Sequence, residues 1–242
     1  MNLIIDIGNS SCKAALFDGA TLVKIHKGSN RRIEILDEWC AEYSVDKAII
    51  SSVIDLSDDV VEQLQSLPCH CIRFTVSMPL PVKLLYKTPE TLGVDRLAAV
   101  VGAQAEAPGK DILVIDAGSA ITYDFLDAQG CYHGGNIAPG LAMRLRALHE
   151  QTGKLPLVSA TGDTPMLGYN TETAIRSGVI QGIRYEIEGY IAELRNKYPS
   201  VLIFLTGGDE KSLICNVKNC IFADEFLVLK GLNRILINND TI

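Results

Sequence analysis

The chain has 242 residues, of which 48% are hydrophobic and 21% charged, the balance of a folded globular protein with one or two real cores. A formal net charge of −7 argues against a nucleic-acid-binding face, which needs clustered lysine and arginine. No run approaches the roughly 20 apolar residues that cross a bilayer, and seven cysteines, an odd number, suit a reducing cytoplasm better than a disulfide framework. The amino terminus lacks a basic region and Asp6 interrupts its apolar run, so a cytoplasmic protein without a signal peptide is expected.

In chain order, alternating apolar segments near 2–7, 11–17 and 21–26 predict a strand meander punctuated by Gly8 and Asp18-Gly19. Lys27 to Arg32 is a short basic cluster broken by Gly28, Ser29 and Asn30, and reads as a solvated loop. Ile33 to Tyr43 carries apolar residues at helical spacing, Lys47 to Val53 is a short buried strand, and Leu56 to Leu67 is a second helix. Cys69-His70-Cys71 lacks the ligand spacing of a zinc site, as do Cys215 and Cys220. Pro79, Pro81 and Pro89 mark an extended crossing, after which Leu92 to Ala107 is helical until Pro108-Gly109.

The second half repeats this order. Strands near 112–117, 120–126 and 131–137 precede a helix from Leu141 to Glu150. Gly153 to Gly168 has no clear period and is expected to be a binding loop or lid. A long helix, Thr171 to Tyr198, stops at Pro199, Val201 to Leu205 is a buried strand, and a helix near Glu225 to Leu236 closes the chain. Two α/β domains of like construction, 1–110 and 111–242, fit this order.

Asp6 and Asp116 each end an apolar run and open a small turn, Asp6-Ile7-Gly8-Asn9-Ser10 and Asp116-Ala117-Gly118-Ser119-Ala120. Backbone N–H groups in such turns converge on anions, glycine permits close approach, and a carboxylate at the mouth suits a cation such as Mg²⁺. The P-loop, the Gly-x-Gly-x-x-Gly fingerprint and the Gly-x-Ser-x-Gly elbow are all missing from the sequence. Thr91-Leu92-Gly93-Val94-Asp95-Arg96 opens the central helix. Thr91 or Asp95 could cap the helix, or Asp95 could act as a general base with Arg96 pairing an anionic group. Thr206-Gly207-Gly208-Asp209 follows the last good strand, where paired glycines would let an adenine ring lie against backbone; His133-Gly134-Gly135-Asn136 and Ala138-Pro139-Gly140 suggest a further close approach.

As an ordered set, Asp6-x-Gly-Asn-Ser, Gly93-Val-Asp-Arg96, Asp116-x-Gly-Ser-Ala-x-Thr122, Gly168-x-Asn-Thr171 and Thr206-Gly-Gly-Asp209 closely resemble the type III pantothenate kinases, over nearly the whole chain. Those enzymes belong to the sugar kinase, heat-shock protein 70 and actin superfamily. The resemblance implies two similar ribonuclease-H-like, actin-like ATPase domains, each a mixed sheet flanked by helices, with a cleft between them. It implies transfer of the γ-phosphoryl group of ATP to the primary hydroxyl of pantothenate, the first committed step of coenzyme A synthesis. By the same resemblance Asp6, Ile7, Gly8, Asn9, Ser10, Ser11, Cys12 and Lys13 form the first phosphate loop, with Asp6 near Mg²⁺, through water. Ser119 stands where the family usually has a threonine that touches ATP. Tyr86, Gly93, Val94, Asp95, Arg96 and Thr171 contact pantothenate, with Asp95 as proton acceptor. Asp116 matches the residue for a monovalent cation, K⁺ or NH₄⁺. A homodimer is implied, with the long helix from Thr171 as its candidate interface. A kinase of another small polyol and a non-catalytic regulatory relative are the competing readings.

Overall fold

The computed structural model describes residues 1–9, 11–208 and 222–239. They form two compact units, one of Met1–Gly109, Leu126–Gly134 and Phe226–Ile242, the other of Lys110–Phe125 and Gly135–Glu225. Neither unit is a single stretch of chain.

In the first unit, strands β1 (Asn2–Ile7), β2 (Cys12–Asp18) and β3 (Thr21–Gly28) make the expected antiparallel meander. β4 (Lys47–Ser52) runs parallel to β1, and the short β5 (Cys71–Arg73) parallel to β4, giving the order β3-β2-β1-β4-β5. Alternation then sorts the side chains. Leu3, Ile5 and Ile7 share one face with Cys12, Ala14, Ala48 and Ile50, and pack with Leu36 and Trp39 of α1 (Leu36–Glu42) and Val60 of α2 (Asp58–Gln65). Both helices are shorter than their apolar spacing predicts. Ile33 is buried without being helical, its backbone N–H and C=O both paired to the Gln63 side chain at 2.9 and 3.0 Å. Ser57 caps α2 by accepting a hydrogen bond from Val60 N.

The opposite face of this sheet carries Asn2, Ile4 and Asp6. There Asn2 Nδ2 donates to Asn233 Oδ1 at 2.8 Å, which docks α6 (Leu227–Asn239) on that face. Helix α3 (Val94–Glu106) lies against α6 and β4. The two helices meet backbone to backbone: a Cβ on Gly102 would fall 2.3 Å from Leu227 O, and one on Gly231 1.8 Å from Ala98 O. This crossing is why the end of the chain joins the first unit. β6 (Lys83–Leu84) pairs in parallel with Cys131 and Tyr132.

The second sheet runs β11-β10-β7-β8-β9-β6, from β7 (Ile112–Ala117), β8 (Ala120–Leu126), β9 (Cys131–Pro139), β10 (Leu202–Thr206) and β11 (Phe222–Ala223), and the second unit holds β7, β10, β11, β8 up to Phe125 and β9 from Gly135. β7 and β11 are both parallel to β10. Its core joins Leu113, Ile115, Ile121 and Tyr123 to Leu141 and Leu145 of α4 (Leu141–Glu150) and Ile183 and Ile187 of α5 (Thr171–Lys197). Each sheet therefore sets its first strand between a hairpin partner and a parallel neighbour, β2-β1-β4 and β8-β7-β10. Residues 151–170 contain neither helix nor strand. Among the described residues no helix is long and apolar enough to cross a membrane.

Candidate active site

The β1–β2 turn is closed by Gly8 N donating to Ser11 O at 2.9 Å. Asn30 Nδ2 donates to the carbonyls of Gly8 and Asn9, at 3.2 and 3.1 Å. With the carbonyls of Gly8, Asn9 and Ser11 engaged, the turn presents donors to an incoming anion. Asn30 thus has a positioning use that the solvated-loop reading of its segment missed. A Cβ on Gly8 would meet only Ser11 O at 3.4 Å, so the outer side of the turn is open. Ile7 and Cys12 point into the core, which leaves them only backbone groups to offer a nucleotide. Burial, and then the negative charge of Asp6, push the Cys12 thiol up to about 12, so it stays neutral. Ser10 lies outside the described residues.

Asp6 is half-buried, with Oδ1 shielded from solvent. Strand register places it opposite Lys13 on β2 and Ser51 on β4. The three side chains form one row on the sheet face that α3 and α6 cover. Ser51 is fully buried. Nothing in the local pattern of Lys47 to Val53 marks it, because its neighbour is set by pairing.

The amino end of α3 supplies the next group. Arg96 N donates to Asp95 Oδ1 at 2.8 Å within the first turn of α3, whose N-cap position is Gly93, without a side-chain cap. The bond also orients the carboxylate at the positive end of the helix. The glycine two residues earlier has a steric reason: a Cβ on Gly93 would lie 2.6 Å from Asp95 Oδ1. Val94 is half-buried beside it, and Arg96 is buried at 6% exposure. Tyr86 lies 6.2 Å from Tyr132, ring centre to ring centre, and packs over Gly134, where a Cβ would fall 2.7 Å from the Tyr86 ring. That contact accounts for one glycine of the 133–136 segment.

In the second unit the β7–β8 turn is tighter, with Gly118 N donating to Ala120 O at 3.1 Å. Asp116 lies opposite Thr206 on the parallel β10, as Asp6 lies opposite Ser51. Asp116 Oδ1 is flanked by glycines: added Cβ atoms would come within 3.3 Å at Gly118 and 2.6 Å at Gly207. Gly207, at φ +106°, also lies against the Ala117 backbone, so it backs the turn. Gly140 does the same for Gly118 and Ser119, whose carbonyls would lie 2.3 and 2.5 Å from its Cβ. Ser119 is exposed at the turn. Thr171 is exposed at the first position of α5, after Asn170, which caps the helix reciprocally with Thr173. Asp209 lies outside the described residues, as do Cys215 and Cys220.

Asp6, Tyr86 and Gly93–Arg96 thus belong to the first unit, and Asp116, Ser119 and Thr171 to the second. Among the described residues no three His, Cys, Asp or Glu side chains gather as a metal site. The donors fit cations held in another way, by a single carboxylate completed by backbone, water or phosphate oxygens. The side-chain-free flanks of Asp116 Oδ1 suit a large monovalent ion, and the half-buried Asp6 suits a hydrated Mg²⁺.

The 153–168 loop is tied to α5. Arg176, buried at 7% exposure, donates from Nε to Ser159 O at 2.8 Å and from Nη1 to Asp163 O at 3.3 Å. Gln181 Nε2 donates to Thr164 O at 3.2 Å.

The protein family described as type III pantothenate kinase matches residues 2–193. Type III pantothenate kinase of Phocaeicola vulgatus is 56% identical over 242 residues, covering 100% of both chains. That of Bacteroides fragilis is 58% identical over 240 residues, covering 99% of each. A crystal structure of a conserved Campylobacter jejuni protein, named for the Baf family of transcriptional activators, superposes with a TM-score of 0.65 at 23% identity, covering 99% of this chain and 100% of that one. At that identity the likeness speaks for the fold alone.

Proposed function

The chain belongs to the type III pantothenate kinase family, and from that premise we infer that it transfers the γ-phosphoryl group of ATP to the primary hydroxyl of pantothenate. The product is 4′-phosphopantothenate, the first intermediate on the route to coenzyme A. The observation that carries the reading to residues is the placement of Asp6 on the sheet face covered by α3, the helix whose amino end holds Asp95. At the level of folds, the matching arrangement of β2-β1-β4 and β8-β7-β10 supports two related ribonuclease-H-like domains.

Phosphoryl transfer of this kind leaves little covalent work to the protein, so positioning and charge dominate. The donor-rich turn from Asp6 to Lys13 holds the ATP phosphates, with Lys13 beside them as a cation, and by the family resemblance Ser119 is also assigned to ATP. Arg96 pairs the pantothenate carboxylate, while Tyr86, Gly93, Val94 and Thr171 shape its pocket. Asp95, oriented by the Arg96 N–H, accepts the proton of the attacking hydroxyl. Asp6 would hold Mg²⁺ through water, and Asp116 a K⁺ or NH₄⁺ ion. Bound there, these cations neutralise charge on the phosphates. A cytoplasmic homodimer completes the reading, with α5 as the surface offered to the second copy.

The test is ADP release from ATP with pantothenate, other small polyols or no acceptor, in potassium and then in sodium. Release that depends on pantothenate and potassium is expected. No pantothenate-dependent release in potassium refutes the assignment.

A further inference from the structure

Ser51 is an unexplained group in the first unit. It has 0% exposure, and its Oγ has no hydrogen-bond partner among the described residues. A buried hydroxyl left unpaired costs stability, and alanine would fill the same space without that cost. Its neighbours are therefore informative. Register sets Ser51 beside Asp6, with Lys13 on the other side of Asp6, in one row on the face that carries α3. The second unit repeats the pairing, for Thr206, 1% exposed, stands opposite Asp116. In both sheets a buried hydroxyl on the parallel neighbour accompanies the aspartate that ends the first strand.

We propose that Ser51 is a positioning residue for the nucleotide-bound cation: its hydroxyl hydrogen-bonds the water shell of the divalent ion held at Asp6. Mg²⁺ gives up its waters reluctantly and is gripped largely through them, so an outer hydroxyl that orients one water fixes the ion without ligating it. The unpaired state of Ser51 in the free protein is then the cost of a bond made only when the nucleotide is loaded. The proposal rests on the kinase reading for the identity of the ion, and wild-type ADP release tests that reading separately.

The experiment compares Ser51→Ala and Ser51→Thr with wild type. Mn²⁺ is titrated into protein with saturating ADP and followed by electron paramagnetic resonance, and thermal melting is recorded without nucleotide. Ser51→Ala should bind Mn²⁺ about 10–100-fold more weakly, the usual loss for an outer-shell partner, while melting at or above the wild-type temperature. Ser51→Thr keeps a hydroxyl and should retain Mn²⁺ affinity even if its extra methyl lowers the melting temperature. Wild-type Mn²⁺ affinity in Ser51→Ala overturns the proposal. So does a lower melting temperature in that variant with affinity unchanged, which would make Ser51 a packing residue.

Discussion

Replacing Gly231 by alanine adds one methyl group where α6 crosses α3. An ideal Cβ there sits 1.8 Å from Ala98 O and 2.9 Å from Gly102 N, against an ordinary contact of 3.4–4 Å. Both neighbours are backbone atoms of a helix, so no side chain can swing aside and the helices must part by about 1.5 Å. A gap of half to one ångström already forfeits a quarter to a half of a dispersion contact. Overpacking costs about 1–3 kcal/mol, sometimes more, and a clash with rigid backbone belongs at the top of that range. Better helix propensity returns about 1 kcal/mol. A net loss of roughly 2–3 kcal/mol lowers the melting temperature by about 4–12 °C in a protein of this size. Function should follow, because α3 carries Asp95 at its amino end, and a displacement near 1 Å costs turnover on the order of 10²-fold. Circular dichroism melting and coupled ADP release measure the two effects. Gly189→Ala is the control: nothing lies within 4 Å of its Cβ, and it should melt no lower than wild type. If Gly231→Ala melts with the wild type, the backbone crossing is not what joins the chain's end to the first unit.

The other predictions concern the site and its turns. Asp95→Asn should lower kcat by ~10²–10⁴-fold while calorimetric ATP affinity persists; near-normal turnover removes Asp95 as the base. Asn30→Ala frees the Gly8 and Asn9 carbonyls and should raise KM for ATP about tenfold, with pantothenate KM unchanged as the check. Gly207→Ala forces a Cβ to within 2.6 Å of Asp116 Oδ1 at φ +106° and should abolish the difference between potassium and sodium in initial rates. Burial works against the Asp127 carboxylate, but the His133 hydrogen bond and the N–H groups of Cys131 and Gln129 outweigh it and hold the carboxyl below its ordinary value. The native state therefore binds this proton less readily than the unfolded chain, so the stability it adds is present above the usual carboxylate range and lost as pH falls through the depressed value. Asp127→Asn should melt lower at neutral pH and show a shallower decline below about pH 4; an unchanged acid limb in a series of melts would refute this.

How much of this was visible beforehand depends on whether a feature is local. The 141–150 helix, the meander of the first strands and the Gly93-x-Asp-Arg turn were legible because periodicity and turn chemistry act over a few residues. Asp95 illustrates the boundary: capping and catalysis could not be separated in the sequence, whereas the structure shows its carboxylate bonded to the next N–H and packed where a Cβ on Gly93 would fall. The paired glycines at 207 and 208 were read as a surface for adenine. Gly207 also backs Asp116, while Gly208 has nothing within 4 Å of its Cβ. Asn30 was passed over because its partners lie 21 and 22 positions away along the chain.

The amino-acid sequence by itself determined the longer strands and helices and their order, because side-chain polarity repeats at short range, and its ordered motifs carried the resemblance to the family. Only the tertiary structure decided which residue stands beside which: Ser51 next to Asp6, Thr206 next to Asp116, and α6 on the first sheet. Register and helix contact are set by the mutual fit of segments far apart in the chain, and no single segment carries that information.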